Sequence, residues 1–286
     1  MKNKDFAIFI LTHGRPDNVI TYATLKKSGY TGKTYIIIDN EDKTAEKYKQ
    51  IFGEKVIVFD KKAISETFDE ADNFKDRRAI VYARNASFEI AKKLGIRYFM
   101  QLDDDYIAFH FRVDDELRYN PTRITSNFDK VMDILIDYYK SIPAKSIAMS
   151  QGGDYIGGSE GSLARNMRLR RKCMNSFICD TERPFQFVGR INEDVNTYTK
   201  IASTGALFLT VPNISLTQKS TQTNAGGMTD IYLDNGTYIK SFYTIIFNPS
   251  SVTIALMGDK HRRLHHRIDW KCTVPMILNE KYKINA

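Results

Sequence analysis

The sequence predicts an α/β fold of the doubly wound, nucleotide-binding kind. Two observations predict it: short apolar runs alternate with stretches of helical length, and several of those runs close on an acidic residue at a turn. With 286 residues and 42% hydrophobic content, the chain is long enough to bury one large core.

Phe6 to Leu11 is an uninterrupted apolar run, the pattern of a strand covered on both faces. Thr12-His13-Gly14-Arg15-Pro16-Asp17 then turns the chain, and Asp17 is placed to cap a helix over Asn18 to Ser28 that stops at Gly29. Thr34 to Ile38 is a second strand ending at Asp39-Asn40, Thr44 to Phe52 a polar helix, and Val56 to Phe59 a third strand ending at Asp60. Ligands of such a half bind at the carboxyl ends of its strands. In residues 76–95, Arg84 shares a helical face with Val81, Phe88 and Ala91. A guanidinium on a packed stripe needs an anion, either a core carboxylate or, together with Asn85, a nucleotide or the acidic cluster that follows.

That cluster ends RYFMQLDDDY, residues 97–106. Asp103, Asp104 and Asp105 at the mouth of a buried strand repel one another and lose solvation, which a cation relieves; an acidic surface turn is the plainer alternative. In extended backbone Asp103 and Asp105 share a side, toward a metal, and Asp104 turns toward a ribose or Arg84. After a polar segment, Asn127 to Lys140 is an amphipathic helix, and Ser146 to Ser150 a strand leading into a flexible Gly-rich loop over 150–158. Glu193-Asp194 precede a stretch compatible with a helix and the strand Ala206 to Val211, so they serve either as a catalytic base or as helix N-terminal charge. The aromatics of Tyr238 to Tyr243 suit either stacking on an extruded base or a strand core, and alternation favours the strand core for Phe242 and Phe247.

Charge is uneven. Residues 1–143 hold 24 Lys+Arg against 23 Asp+Glu, whereas residues 144–286 hold 18 against 11, so nearly all of the net +8 lies in the second half. Two runs there lack acids: one contains Arg165, Arg168, Arg170, Arg171 and Lys172, the other spans Lys260 to Arg267 with Arg262 and Arg263. Both suit a polyanion such as DNA, and both also suit a solvated basic face. Cys173, Cys179 and Cys272 have no metal-type spacing and are expected to stay thiols. The N-terminal apolar run is too short for a signal peptide or membrane span, which leads us to expect a soluble, intracellular protein without membrane partners.

The strand ends at Thr12 and Asp39, the Arg84-Asn85 pair on a helix, and the apolar strand closing on Asp103-x-Asp105 resemble, in this order, the donor half of GT-A fold glycosyltransferases. The stretch 218–254, with its polar Thr/Gln/Asn loop and the run Tyr238 to Tyr243, resembles the later part of TET-associated glycosyltransferases. Those include the enzyme that glucosylates hydroxymethyluracil in DNA to make base J, and phage relatives. The resemblance implies a GT-A mixed sheet flanked by helices in one domain, 1–286, with a donor half (1–143) and a basic half elaborated on the acceptor side (144–286). It implies that Thr12, His13, Arg15, Asp39, Arg84, Asn85 and Asp104 border a nucleotide-sugar. It further implies that Asp103 and Asp105, with His265 or His266, hold Mn²⁺ or Mg²⁺. Asp194, beside Glu193, becomes the base of an inverting reaction. The implied reaction carries a sugar, expected to be glucose, from a UDP-sugar to a hydroxymethylpyrimidine in DNA, with Arg168, Arg170, Arg171, Lys172, Arg262 and Arg263 on the nucleic acid. A glycan or protein acceptor, a sugar-1-phosphate nucleotidyltransferase, and a DNA-binding protein with a degenerate transferase fold are the rivals; THGRP is a poor match to the nucleotidyltransferase loop.

Overall fold

All six residues of β1 (Phe6–Leu11) are buried, because helices cover the strand on both faces. The computed structural model describes residues 1–74, 76–155, 157–161, 172–219, 236, 238–258 and 262–274. After β1 come a 3₁₀ turn (Pro16–Asn18), α1 (Ile20–Lys27), β2 (Lys33–Asp39), α2 (Ala45–Phe52), β3 (Val56–Phe59), α3 (Lys61–Ser65), α4 (Val81–Lys93) and β4 (Tyr98–Asp103). Then follow β5 (Tyr106–Val113), β6 (Tyr119–Arg123), α5 (Phe128–Ser141), β7 (Ser146–Gln151), β8 (Phe177–Asp180), α6 (Glu193–Ala202) and β9 (Phe208–Gln218). The described chain closes with α7 (Ile239–Phe247), β10 (Val252–Met257), β11 (Arg263–Ile268) and α8 (Trp270–Thr273).

Among the described residues, nine strands form one mixed sheet in the order β3-β2-β1-β4-β8-β7-β9-β5-β6, and β10 and β11 form a separate antiparallel pair. The strands β3, β2, β1 and β4 are parallel, and β8 runs against β4. This is the mixed α/β class expected. Strands of the two sequence halves interleave, since β8, β7 and β9 lie between β4 and β5.

Period-two alternation sorts β1 into two cores. Ile8 and Ile10 join Ile36, Ile38, Met100 and Leu102 against α5 through Phe128, Met132 and Leu135. Phe9 and Leu11 join Ile37 and Phe99 against α4 and α6 through Phe88, Val195 and Tyr198. Phe99 is the pivot of the second core, stacking on Phe9 at 5.2 Å between ring centroids and meeting Phe88 edge-on at 5.0 Å.

Several local expectations change. Asp17 does not cap α1; its carboxylate pairs with Lys47, and the 3₁₀ turn precedes the helix instead. Gly29, at φ +83°, does end the turn after α1, where a Cβ would collide with the Asn127 amide. Beyond Asp105 the sheet continues through β5 and β6, in place of a merely polar segment. The expected flexible loop contains a 3₁₀ turn (Gly152–Tyr155) pinned by Tyr155, whose hydroxyl meets Ser150 Oγ at 2.6 Å and whose ring lies under Arg112; Ile156 lies outside the described residues. Phe242 and Phe247 belong to helix α7, not to a strand, because burial follows helical spacing through Tyr243 and Thr244. Among the described residues no helix is long and apolar enough to cross a membrane.

Phe99→Ala is expected to lower stability by about 3–5 kcal/mol through the cavity it leaves. Urea unfolding should show this as a lower midpoint at unchanged slope.

Candidate active site

The sheet order reverses at β1, which has β2 on one side and β4 on the other, and this opens a crevice at the carboxyl ends of the three strands. Leu11 is in register with Asp103, so Thr12 and Asp104 leave the sheet side by side. Thr12 Oγ1 donates to Asp104 Oδ2 at 2.5 Å and stands 2.8 Å from the Tyr48 hydroxyl. Arg15 closes the group, with its backbone N–H on Tyr48 Oη at 2.8 Å and its Nε 3.3 Å from Asp104 Oδ2. Asp104 therefore turns to Thr12 and Arg15, away from Arg84. Burial pushes its carboxyl above the ordinary range, with Arg15 and Thr12 opposing.

At the end of β2, Asp39 takes His13 Nδ1–H at 2.7 Å and the Lys61 ammonium at 3.3 Å. Burial raises its proton affinity, yet these two donors hold the carboxyl below its usual value. Asp42 receives the Gly14 N–H at 2.7 Å, in a turn where Gly14 adopts φ +71°. Lys61, Asp42 and Tyr48 escaped the sequence reading. None of the three carries a signature in the local sequence, and the burial of Lys61 appears only in the fold.

The acidic turn is built by α1. Thr21 Oγ1 donates to the Asp103 carbonyl at 2.6 Å and accepts the Tyr106 N–H at 2.9 Å, while the Thr21 N–H meets the Asp104 carbonyl at 3.0 Å. Asp103 stays on the other side of the turn from Thr12, with its side chain 22% exposed and its Oδ1 3.1 Å from Arg84 Nη2. Burial pushes the Asp103 carboxyl up to about 7; Arg84 opposes this, and Asp105, Glu193 and Asp104 add to it. Asp105 is raised too, by burial and by Asp104, and its Oδ1 is buried with no hydrogen-bond partner among the described residues. Two crowded hard carboxylates, one with an orphaned oxygen, fit a divalent cation whose other ligands are phosphate or water oxygens. His265 and His266 are not part of that set. Among the described residues no group of three or more His, Cys, Asp or Glu side chains is placed to hold a metal. His266 instead meets Lys172 Nζ through Nε2 at 2.9 Å.

Arg84 spans the site. Its Nε donates to Glu193 Oε1 at 2.8 Å while its Nη2 reaches Asp103, and the plane lies over the rings of Phe177 and Phe187. Asn85 holds the backbone of Phe187 in both directions, at 3.0 and 2.8 Å, so it shapes the wall of the site rather than its floor. Asn192, at φ 62°, precedes α6. Asn196 Nδ2 donates to the carbonyls of Val188 and Ile191 and so fixes the entry to that helix. Asp194 is buried and accepts the Val195 N–H at 2.7 Å. Burial and the neighbouring Glu193 raise its proton affinity well above the carboxylate norm, against Arg84 and Lys172. Lys172, Arg262 and Arg263 are described, the last two exposed; Arg168, Arg170 and Arg171 lie outside the described residues.

This geometry pairs an acidic strand end with a second carboxylate on a separate helix. The family model described as TET-Associated Glycosyltransferase matches residues 6–227. The chain belongs to the TET-associated glycosyltransferase family. The matched span contains every site residue above except His265, His266, Arg262 and Arg263. Comparison with curated protein sequences finds no match. Among solved structures the transferase is similar to S. aureus TarS 1–349, at 10% identity and a TM-score of 0.43, covering 85% of this chain and 66% of TarS, just under two thirds. It is also similar to glucosyl-3-phosphoglycerate synthase from Mycobacterium tuberculosis, solved with Mn²⁺, uridine diphosphate and phosphoglyceric acid, at 10% identity and a TM-score of 0.46, covering 96% and 89%.

Two outcomes follow for this member of the family. Arg84→Met should cost about 3–5 kcal/mol at neutral pH, because it strands two carboxylates, and chemical denaturation measures the loss. Asp103 binds its proton more tightly folded than unfolded, so its contribution to stability is present in full below about pH 4 and is lost as pH rises through about 7. The metal-free transferase should therefore melt at lower temperature at pH 8 than at pH 5, and Asp103→Asn should flatten that slope.

Proposed function

We propose that the transferase moves a hexose, glucose by expectation, from a uridine diphosphate sugar to the hydroxymethyl group of a pyrimidine in DNA, with inversion at the anomeric carbon. One observation carries the reading: Arg84 takes Asp103 and Glu193 together, which leaves Asp105 on the donor side and Asp194 on the acceptor side for different tasks. Asp39, with His13 and Lys61, borders the nucleoside of the donor at the end of β2. Arg15 and Asp104 line the same crevice. Asp103 and Asp105 would hold Mn²⁺ or Mg²⁺, which when bound offsets the charge of the diphosphate.

Asp194 accepts the proton of the acceptor hydroxyl as that oxygen bonds to the anomeric carbon. The bond from that carbon to the diphosphate oxygen breaks at the same time, and its electrons leave on the diphosphate. A base raised by burial suits this task better than an ordinary surface carboxylate, because its proton affinity lies nearer to the working pH. Glu193 is held by Arg84 and keeps the first turn of α6 in place. The basic second half supports a DNA acceptor, since phosphate contacts supply most nucleic-acid affinity.

Hydroxymethylated DNA incubated with a UDP-hexose and Mn²⁺ should gain a hexose by nucleoside mass spectrometry. Asp194→Asn should lower the transfer rate by about 10²–10⁴-fold and leave the affinity for UDP with Mn²⁺, read by calorimetry, unchanged. Undiminished transfer in that variant would remove Asp194 as the base, and transfer to glycans with none to DNA would remove the DNA acceptor. The acid limb of the wild-type pH profile should fall above the ordinary carboxylate range, with activity lost as pH drops through it, because the base works only when deprotonated.

A further inference from the structure

The β10–β11 ribbon stands apart from the nine-stranded sheet among the described residues, and its burial falls along its length. On one face the cross-strand pairs are Val252–Ile268, Ile254–His266 and Leu256–Leu264; on the other they are Thr253–Arg267, Ala255–His265 and Met257–Arg263. At the root Val252 is 1% and His266 5% exposed. Toward the turn Leu256 is 65%, Met257 45% and Leu264 37% exposed, and Arg263 is exposed beside them. Both faces of the ribbon meet solvent there, so its far end projects from the body of the protein. Residues 259–261, which join the two strands, lie outside the described residues.

The root is tied to the helix of Asp194. Asn192, two residues before that carboxylate, donates from Nδ2 to Thr244 Oγ1 on α7 at 2.7 Å. Asn248, at the end of α7, donates from Nδ2 to the Thr199 carbonyl on α6 at 2.9 Å. Beyond β11, Trp270 stacks on Tyr198 of α6, with 6.0 Å between ring centroids and 5° between planes, and the Asp269 N–H meets the Ser251 carbonyl at 2.7 Å across the root. The segments that enter and leave the ribbon are thus both held on α6.

The exposed end mixes two chemistries. Arg262, Arg263 and Arg267 are exposed, and the described residues 252–258 and 262–268 include no carboxylate. Large apolar side chains left in water among arginines suit a partner that is anionic at its rim and apolar further in. Duplex DNA has that arrangement, with phosphates along the edges and base edges below, and its major groove admits a two-stranded ribbon. A hydroxymethyl group at C5 of a pyrimidine takes the place of the thymine methyl and opens into the same groove.

We propose that the end of the β10–β11 ribbon docks in the major groove of the acceptor duplex, with Arg262, Arg263 and Arg267 on phosphates and Leu256, Met257 and Leu264 against base edges. This rests on the DNA reading above. Six strand residues reach about 20 Å from the root, so the contact falls on base pairs that flank the acceptor. The acceptor hydroxyl must come within hydrogen-bond reach of Asp194, and a ribbon rooted on that helix brings its partner there.

The test uses the full chain and a hydroxymethylated duplex oligonucleotide, with binding followed by fluorescence anisotropy across a salt series and UDP with Mn²⁺ followed by calorimetry. Leu256→Ser/Leu264→Ser should weaken duplex binding about tenfold, leave the log–log salt slope unchanged, and leave binding of the single strand of the same sequence as in wild type. Arg263→Gln and Arg267→Gln should each lower the slope by about 0.9. All four side chains are exposed, and the arginine and leucine variants test the ribbon independently. UDP affinity should match wild type throughout. Unchanged duplex affinity in the leucine variant, an equal loss on the single strand, or an unchanged slope in both arginine variants overturns the docking. Lost binding to phosphatidylserine vesicles with duplex binding intact also overturns it and assigns the ribbon to a lipid surface. If the variants bind the duplex as wild type does while wild type still glycosylates it, only the ribbon's role falls; if wild type transfers nothing to DNA, the DNA reading falls and the ribbon's role with it.

Discussion

The site depends on one buried guanidinium. Arg84 is 1% exposed, and taking a charge of that kind out of water costs several kcal/mol unless anions receive it. Burial works against its charge, but Asp103 and Glu193 hold it firmly protonated. Three elements far apart in sequence must then keep their places: α4 carries the guanidinium, β4 ends on one partner, and α6 begins on the other. The aromatic faces of Phe177 and Phe187 close the space around it, and Gln101 donates to its backbone carbonyl at 2.9 Å. A stripe that would otherwise be plain core is in this way committed to a charged centre.

That commitment sorts the carboxylates by task. Asp104 belongs to the Thr12–Tyr48–Arg15 group, and Glu193 belongs to Arg84. Asp103 is shared between Arg84 and the mouth of the crevice, Asp105 keeps an unpartnered oxygen, and Asp194 keeps a raised proton affinity one residue beyond a pinned neighbour. Neighbouring acids of the same residue type thus differ through their surroundings alone. The same logic separates the histidines from the acidic strand end: a β-pair at the far end of the chain turns them toward lysines, where burial and nearby cations keep both rings neutral.

A strap formed by residues 66–74 and 76–80 ties the two sides together. Gly189 and Arg190 donate backbone N–H groups to the carbonyls of Asp69 and Glu70, and the Arg190 side chain meets Asp72 at 2.9 Å. Asp72 also binds the Tyr243 hydroxyl on α7, and Arg77 reaches Glu41 beyond the end of β2. The entry to the helix of Asp194 is therefore braced against both the end of β2 and α7.

Much of this was legible in the chain itself. Short apolar runs bounded by turns read as strands, so β1, β2, β3 and β4 and their acidic or polar ends followed from the sequence, as did the anion demanded by Arg84 on a packed helical face. What the sequence left open is whatever depends on partners distant in the chain. Alternation in Tyr238 to Phe247 reads as a strand, and the helix emerges only where Tyr243 packs on Ile191 and the strap. β5 joins the sheet only because β9 offers it an edge. Lys61, Tyr48 and Thr21 carry no local signature, since their roles arise when a strand end, a helix and a turn meet. Local pattern determined which side chains must be buried or charged; tertiary structure alone decided which carboxylate each cation would take, because that choice is made across spans of more than a hundred residues, 109 between Arg84 and Glu193 and 118 between Arg190 and Asp72.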